Sequence, residues 1–309
     1  MNQLRTLALL LALLLPYPML GCGNEYRTQT RPDGSSIALY PDEGATTPGL
    51  FQHGFDTARL NQQRDLLQLR LAQDSSYQDL SDLALIELKI GDKYLGVQLL
   101  EKLYQRYPNE YPIVANLGTG YELIGNTELA YRFITQALEI NPDAHQGSEW
   151  IHLNILEQKL NPSPDWAAIL NLETGSSITA YFNGLVEEEL QPLHTLKVQL
   201  IYQLQERMAF VAPEDPVIGQ LLLDLADLVA LTESVERAAP LYRLARDYDP
   251  RLSLVDSRLQ ELENAQYVNP LDAYWPWLLA GAGLLIAGLL IISVLNRKKR
   301  KQGTTRQPA

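Results

Sequence analysis

A 34-residue period between positions 80 and 142 constrains the fold of this 309-residue chain more than any other feature. Apolar residues, small residues and prolines all recur at that spacing. The recurring pairs are Leu80 and Val114, Leu83 and Leu117, Ala84 and Gly118, Gly91 and Gly125, Leu95 and Leu129, Gly96 and Ala130, Leu100 and Ile134, Leu103 and Ala137, and Pro108 and Pro142. A fixed period of this length is typical of stacked supersecondary units, so the pattern predicts two helices in each copy.

The small residues predict where the two helices of each copy cross. A glycine or alanine at positions 84 and 118, and again at 96 and 130, lets two helix backbones approach closely. We expect Gly91 and Gly125 to end the first helix of each copy in a left-handed conformation. Pro108 and Pro142 are expected to stop the second helix, because proline cannot continue the helical hydrogen bonding.

This spacing and these residue types resemble the tetratricopeptide repeat (TPR), a unit of two antiparallel helices. The second copy has the signature residues of the family at Leu117, Gly118, Tyr121, Ala130, Ala137 and Pro142. The first copy departs from the signature at Glu87 and Leu103. A third match has Ala226, Ala238, Ala245 and Pro250 at the same offsets. The resemblance implies an all-α solenoid of antiparallel helix pairs.

The resemblance also divides the central part of the chain. TPR-like repeats are expected over 56–160, where Asp56 or Thr57 can cap the first helix. Region 161–215 is expected to contain an irregular insertion, with a short strand or loop at 176–183, and a long helix from about Leu193 to Met208. A further TPR-like helix pair and a final helix are expected over 216–265.

By the same resemblance, the first helices of the units line a groove that binds an extended peptide or a helix of a partner. The inward positions are expected to be Ser81, Leu85, Leu88, Ala115, Thr119 and Glu122. The mix lacks the paired lysine and asparagine with which TPR domains hold a C-terminal carboxylate, so we expect a hydrophobic or helical partner. Alternatively, the acidic outer face selects a basic partner by electrostatic steering.

The N-terminal region 1–22 has the features of a signal peptide. Arg5 precedes the apolar run Leu7–Leu15, which is too short to span a bilayer. The run is followed by the sequence MLGC, which resembles the lipobox of bacterial lipoproteins and makes Cys22 a candidate for lipidation. Met19 departs from the usual leucine, and the alternative is ordinary cleavage near Gly21 or Gly23. Residues 23–55 lack any sustained period and are expected to form an extended linker or arm.

The C-terminal region predicts a single membrane span. Residues 277–295 are uncharged and long enough for a transmembrane helix, and the basic run Arg297–Lys301 follows. The positive-inside rule makes 296–309 a cytoplasmic tail, with the main domain outside the cytoplasm. We therefore expect a protein of the bacterial inner (cytoplasmic) membrane with a periplasmic domain. Gly283 and Ala287 form a small-xxx-small pair that favours weak self-association of this helix.

The charge distribution argues against nucleic acid as a partner. The whole chain has a formal net charge of −12. Without residues 1–22 and 297–309, the remainder contains 18 basic and 37 acidic residues, a formal charge of −19. Such a surface repels phosphate backbones, so nucleic-acid binding is excluded as a function.

Three residues have the spacing of a metal site. His145, Glu149 and His152 stand at i, i+4 and i+7, which would place them on one face of a helix. The repeat register favours a structural role instead. His152 falls at the close-packing position, partly buried against the following helix with one hydrogen bond to its ring, and His145 falls at the exposed start of a helix. The sequence has no HExxH motif and no glycine-rich phosphate loop. We therefore predict no metal and no cofactor.

These observations predict a non-enzymatic, membrane-anchored protein-interaction scaffold or assembly factor of the bacterial cell envelope. It would bind a protein or peptide partner in the groove of the solenoid. The alternative from another class is a metal-dependent hydrolase that uses His145, Glu149 and His152. A third interpretation is a mechanical spacer that holds the membrane region away from other structures.

Overall fold

The computed structural model describes residues 23–26, 51, 53–163 and 169–264, and every regular element within these ranges is a helix. The all-α prediction is therefore confirmed for them. The helices are α1 Thr57–Leu71, α2 Tyr77–Ile90, α3 Lys93–Tyr104, α4 Tyr111–Leu123, α5 Thr127–Ile140, α6 Glu149–Leu160, α7 Ile178–Gly184, α8 Glu187–Phe210, α9 Pro216–Thr232, α10 Val235–Tyr248 and α11 Ser253–Asn264. A short, partly left-handed turn at Ala144–Gly147 precedes α6.

Several predicted features lie outside the described residues, namely the signal peptide with Cys22, most of the arm, the span 277–295 and the tail 296–309. Within the described ranges, no helix has both the length and the apolar character that a membrane crossing needs. Two described parts of the arm contact the helices. Gly23–Tyr26 lies against α2, α4 and α8, and Phe51 is buried in the same core as α8 and α9.

Each copy of the 34-residue pattern forms two helices that pack on each other. α2 packs against α3 and α4 against α5, while α3 also contacts α4 and joins the two copies. Connections this short force consecutive helices to run in opposite directions. Side-chain oxygens of Ser76, Asp92 and Asn126 cap α2, α3 and α5 by accepting hydrogen bonds from backbone N–H groups of the first turn.

The two glycines expected in left-handed conformation behave differently. Gly125 has a φ of +82°, as predicted. Gly91 has φ −115° and ψ −143°, so the prediction is wrong at this position. The Glu87 carboxylate folds back there and accepts a hydrogen bond from the backbone N–H of Asp92 at 3.1 Å. A Cβ atom on Gly91 would lie 1.9 Å from the same carboxylate, so the glycine makes room for this contact.

The predicted close approach of the helices is confirmed at Gly96. A Cβ atom on this residue would lie 2.8 Å from the carbonyl oxygen of Ala84, on the facing helix. Backbone cannot move aside as a side-chain end can, so only glycine fits. Leu88 lies beside Gly96, and it belongs with Leu100 and Ile134 to one core in which all three are completely buried.

The segment 176–183 is not a strand or loop, because α7 occupies most of it. The Ser177 hydroxyl caps this helix by accepting a hydrogen bond from Ala180 N–H. Glu261 of α11 accepts a further bond from Thr179 N–H at 3.2 Å, and Ile178 is buried in the core. Contacts with the distant α11 therefore stabilise a helix that the local pattern does not reveal.

The last helices are built around α9. This helix packs against α8 and α10 and is buried on nearly all sides, as its almost uninterrupted apolar sequence requires. Asp227 of α9 is buried; it forms an ion pair with Arg258 of α11 and accepts a hydrogen bond from the Tyr242 hydroxyl of α10. One buried carboxylate thus connects α9, α10 and α11. The final helix expected within 216–265 is present as α11.

Candidate functional site

The segment Gly23–Tyr26, called the N-terminal segment below, is held by side chains of the helical domain. Asn24 N–H donates to Oδ1 of Asn116 at 2.9 Å, and Asn116 Nδ2 donates back to the Asn24 carbonyl at 2.9 Å. Tyr26 N–H donates to Oδ1 of Asp82 at 2.7 Å. Side chains of α2 and α4 therefore bind the peptide backbone of the segment.

Gly23 lies at one end of this contact, in a site that favours glycine. Its N–H donates to Oε2 of Glu206 at 3.0 Å. Its φ is +85°, in the region that favours glycine, and a Cβ atom would lie 2.6 Å from Cδ1 of Leu85. Conformation and lack of space therefore both select glycine.

The two central side chains of the segment also have specific partners. Oδ1 of Asn24 lies 3.1 Å from Nε2 of His145, and both residues are buried. The Glu25 carboxylate lies 2.6 Å from Nζ of Lys89, and both side chains are at least nine-tenths buried. A buried ion pair of this kind is costly to break, because one charge would remain without its partner.

Tyr26 completes the contact at the other end. Its hydroxyl donates to Oε2 of Glu110 at 3.0 Å, and its ring meets the ring of Tyr77 edge to face at 5.8 Å. Burial and the neighbouring Glu110 carboxylate raise the pKa of the Tyr26 hydroxyl, so it remains a hydrogen-bond donor. We call the surface that contacts the N-terminal segment the groove; it is formed by Asp82, Leu85, Lys89, Glu110, Asn116, His145 and Glu206.

A cavity of about 210 Å³ adjoins the groove at Gly23. We call it the ionic cavity, because charged groups of both signs line it. These are Glu122, His145, Glu149, His152, Lys159, Glu206 and Arg207. The cavity lies between α4, α6 and α8, and the turn before α6 closes one side.

The structure brings the predicted triad together in this cavity. Nδ1 of His145 lies 2.7 Å from Oε2 of Glu149, and Nδ1 of His152 lies 3.4 Å from Oε1 of the same carboxylate. The three residues do not share one helix, because α6 begins at Glu149 and His145 has a left-handed φ of 53°. This turn directs the imidazole inward, where it stacks on Tyr202 at 4.8 Å. The expectation of an exposed His145 is wrong, since only 9 % of it is exposed.

The prediction for His152 needs correction as well. The residue is buried, but it does not simply pack against the following helix. Its Nε2 lies 2.7 Å from Oε2 of Glu122 on α4, and it lines the ionic cavity. Both ring nitrogens of each histidine therefore have partners within the protein. Among the described residues, no group of three or more histidine, cysteine or acidic side chains has an arrangement that could hold a metal ion.

Glu122 is the centre of the charged network. Arg207 binds it with both terminal nitrogens, at 2.9 and 3.1 Å, and Nζ of Lys159 lies 2.7 Å from Oε1. Burial alone would raise the pKa of Glu122, but Arg207 and His152 outweigh it and hold this pKa well below its ordinary range. The carboxylate is therefore charged at any physiological pH and links α4, α6 and α8.

The pKa values of the titratable groups around Glu122 are shifted in opposite directions. Burial opposes the charged form of both histidines, yet Glu149 raises the pKa of His145, and Glu122 and Glu149 together raise the pKa of His152 despite the nearby Arg207. Burial would likewise raise the pKa of Glu149, but the two histidines lower it. For Glu206, burial dominates and raises the pKa. The cavity thus favours imidazolium–carboxylate pairs.

The shifts of His145, His152, Glu122 and Glu149 predict that the contribution of these four groups to stability is greatest between about pH 4.5 and 6.5, the ordinary pKa values of glutamate and histidine. A histidine with a raised pKa stabilises the fold fully below 6.5, and this contribution is lost as the pH rises through its folded-state pKa. Glu122 and Glu149 contribute above 4.5 and lose the contribution as the pH falls through their lowered values. The melting temperature of the full chain, measured from pH 4 to 9, should therefore fall on the alkaline side.

The double variant His145→Gln, His152→Gln provides the control for this pH profile. Glutamine retains hydrogen bonding and removes the proton that titrates. The alkaline decline should then become shallower, with only the buried carboxyl groups of raised pKa, such as Glu206, still contributing. A variant profile with the same alkaline slope as the native profile would contradict the assignment to the two histidines.

The predicted groove residues divide into two groups. Ser81, Leu85, Leu88 and Ala115 are buried in the domain, and of these Leu85 lies beneath Gly23. Thr119 and Glu122 line the ionic cavity. The residues that bind the segment from α2 and α4 include Asp82, Lys89 and Asn116, which the sequence analysis missed.

A signal for the missed residues was present in the sequence. Asp82 and Asn116 are 34 positions apart, at the same place in the two copies of the repeat. The expected lack of the paired lysine and asparagine that hold a C-terminal carboxylate stays a prediction. Lys89 and Asn116 both face the segment, but they bind a glutamate side chain and a peptide group.

Neither the models of known protein families nor the sequences of curated proteins give a match to this chain.

Proposed function

We propose that this chain is a non-enzymatic scaffold or assembly factor that binds a peptide segment of a partner protein in the groove. Its helix pairs would form a TPR-like solenoid, and the span 277–295 would anchor it in the bacterial inner membrane with the groove on the periplasmic side. The proposal rests on how the N-terminal segment is bound. Its backbone is bound by side chains of Asn116, Asp82 and Glu206, from three different helices.

This mode of contact supports recognition of a peptide and not only internal packing. Side-chain amides and carboxylates that bind peptide N–H and C=O groups accept any chain of suitable conformation, and specificity then comes from side-chain positions. Asn116 is the clearest example, because its amide donates to the C=O and accepts from the N–H of one residue. The bound segment is irregular and polar, so the expected hydrophobic or helical partner is replaced by a polar one.

The contacts of the two histidines favour a scaffold over a metal-dependent hydrolase. A metal ligand needs a neutral imidazole with a free lone pair. Nδ1 and Nε2 of His145 are engaged by Glu149 and Asn24, and the adjacent carboxylate raises the pKa of the ring. A metal would have to displace a buried ion pair at each histidine.

Site-specific photocrosslinking in bacterial membranes tests the proposed function. A benzoylphenylalanine in place of Tyr77, beside the bound segment, should form an adduct with another protein of defined mass. The matched control has the same residue in place of Tyr94, which is 64 % exposed on α3. A discrete intermolecular adduct formed only from position 77 supports the proposal. Its absence, or equal labelling from both positions, favours the spacer interpretation.

A further inference from the structure

Resting on the proposed function, we propose that the groove selects a four-residue sequence of the order glycine, carboxamide, acid, aromatic, and that the N-terminal segment is its resident intramolecular ligand. Gly23, Asn24, Glu25 and Tyr26 supply this order in the chain itself. A partner protein would present a polar segment of the same chemistry and would compete with the resident one.

The glycine and acid positions are the most selective. Leu85 closes the space that a Cβ at the first position would need, so any other residue must displace a buried leucine. At the third position, Lys89 presents a buried ammonium 2.6 Å from the bound carboxylate. A neutral residue there would leave the ammonium buried without this partner, and a basic residue would add repulsion.

The second and fourth residues of the bound sequence are recognised by shape and hydrogen bonding. Asn116 binds the backbone of the second residue, while His145 lies 3.1 Å from its side-chain oxygen. At the fourth position, the Tyr77 ring makes an edge-to-face aromatic contact, and the Glu110 carboxylate accepts a hydrogen bond from the hydroxyl group. Each of the four positions therefore has its own partner in the groove.

The connectivity of the chain makes the resident segment a strong competitor. It is joined covalently to the domain, so it acts at an effective concentration on the order of 1 mM, whatever the protein concentration. A free peptide with the same contacts competes at its own, lower concentration. Release of the resident segment should therefore increase the affinity for an added peptide.

Fluorescence anisotropy with the full chain in detergent tests the inference. The probe is a labelled, N-acetylated peptide of residues 23–30, GNEYRTQT. In the release variant Gly23→Val, Glu25→Gln, the resident segment no longer fits and cannot pair with a charge of either sign at position 89, while the groove residues are unchanged. We expect this variant to bind the peptide at least about tenfold more tightly than the native chain. A scrambled peptide should bind neither protein.

Reversing the charges of the Glu25–Lys89 pair distinguishes recognition of the peptide sequence from unspecific electrostatic attraction of the peptide. The probe with Glu25→Lys should lose at least about tenfold in affinity for the release variant, a difference of about 1.4 kcal/mol. Adding Lys89→Glu to the release variant should restore binding of this altered probe and weaken binding of the native probe. Circular dichroism on both variants verifies that the helical domain is folded.

The outcomes distinguish this inference from the proposed function. If the release variant binds native and scrambled peptides equally, or binds neither, the inference is wrong, even if Tyr77 gives an intermolecular adduct. If the peptide and the charge reversal behave as expected but position 77 gives only intramolecular adducts, the groove serves the chain itself and the scaffold proposal fails.

Discussion

Replacing Arg258 by alanine is expected to lower the free energy of unfolding by about 3–5 kcal/mol. The guanidinium is completely buried, and its Nε and Nη2 lie 2.9 and 3.1 Å from the two oxygens of Asp227. Nη2 also donates to the Gly175 carbonyl at 2.8 Å. Alanine would remove the arginine and leave the Asp227 carboxylate buried without its cation. The cost is that of an uncompensated charge, which far exceeds the net contribution of an intact pair.

Urea unfolding of the full chain in detergent, followed by circular dichroism, measures this loss. The control is Arg246→Ala, which breaks a pair with Asp256 of similar length, 3.1 Å, but with side chains 46 % and 74 % exposed. Exposed pairs contribute at most about 1 kcal/mol because water replaces the partner. Equal midpoints for the two variants would mean that the Arg258 site is accessible to water and that the premise of burial is wrong.

The first half of the fold could be predicted because its determinants are local and repeated. Caps such as Asp92 and Asn126 directly precede their helices, and the small residue Gly96 marks a helix crossing. The helix α7 could not be predicted in this way. At seven residues it is too short to be stable by propensity, and it depends on Glu261, more than 80 residues away in sequence. Periodicity and caps are visible in the local sequence, but contacts between such distant residues are not.

The candidate site was predictable only in part, for a geometric reason. Each residue advances a helix by about 100°, so the step from Ser81 to Asp82 turns a buried position into one that faces the segment. An error of one residue in register therefore put the buried Ser81, Leu88 and Ala115 in place of their neighbours Asp82, Lys89 and Asn116, which bind the segment. His145 and His152, which their spacing singles out, both line the ionic cavity, although the helix that contains His152 begins only at Glu149.

The ligand of the groove had no local signal at all. The N-terminal segment lies in a region without periodicity, for which the sequence predicts only a linker or arm. It is fixed by residues such as Asn116 and Glu206, which are 92 and 183 positions from their partners. Four residues held by so many distant side chains become recognisable only when the helices are in place.

The Glu122→Gln variant should be as destabilising as the loss of Arg258, at about 3–5 kcal/mol. Arg207 and His152 are both buried, and Glu122 is the carboxylate that compensates the guanidinium at 2.9 Å and the imidazole at 2.7 Å. The amide of glutamine has the same shape but no charge, so the cations would remain in a site of low polarity. The pKa of His152 should also fall, because Glu122 helps to raise it. The alkaline decline in stability should then begin at lower pH.

Urea midpoints and their pH dependence test this prediction, with Glu139→Gln on an exposed face of α5 as the control. A surface change of this kind should remain within about 0.5 kcal/mol of the native protein. The double variant Glu122→Gln, Arg207→Met should be more stable than Glu122→Gln alone, because removing both partners of a buried pair costs less than leaving one charge behind. If the second substitution only adds to the loss, Arg207 does not depend on Glu122 for compensation. The charged network around the ionic cavity would then have to be held together by Glu149 and not by Glu122.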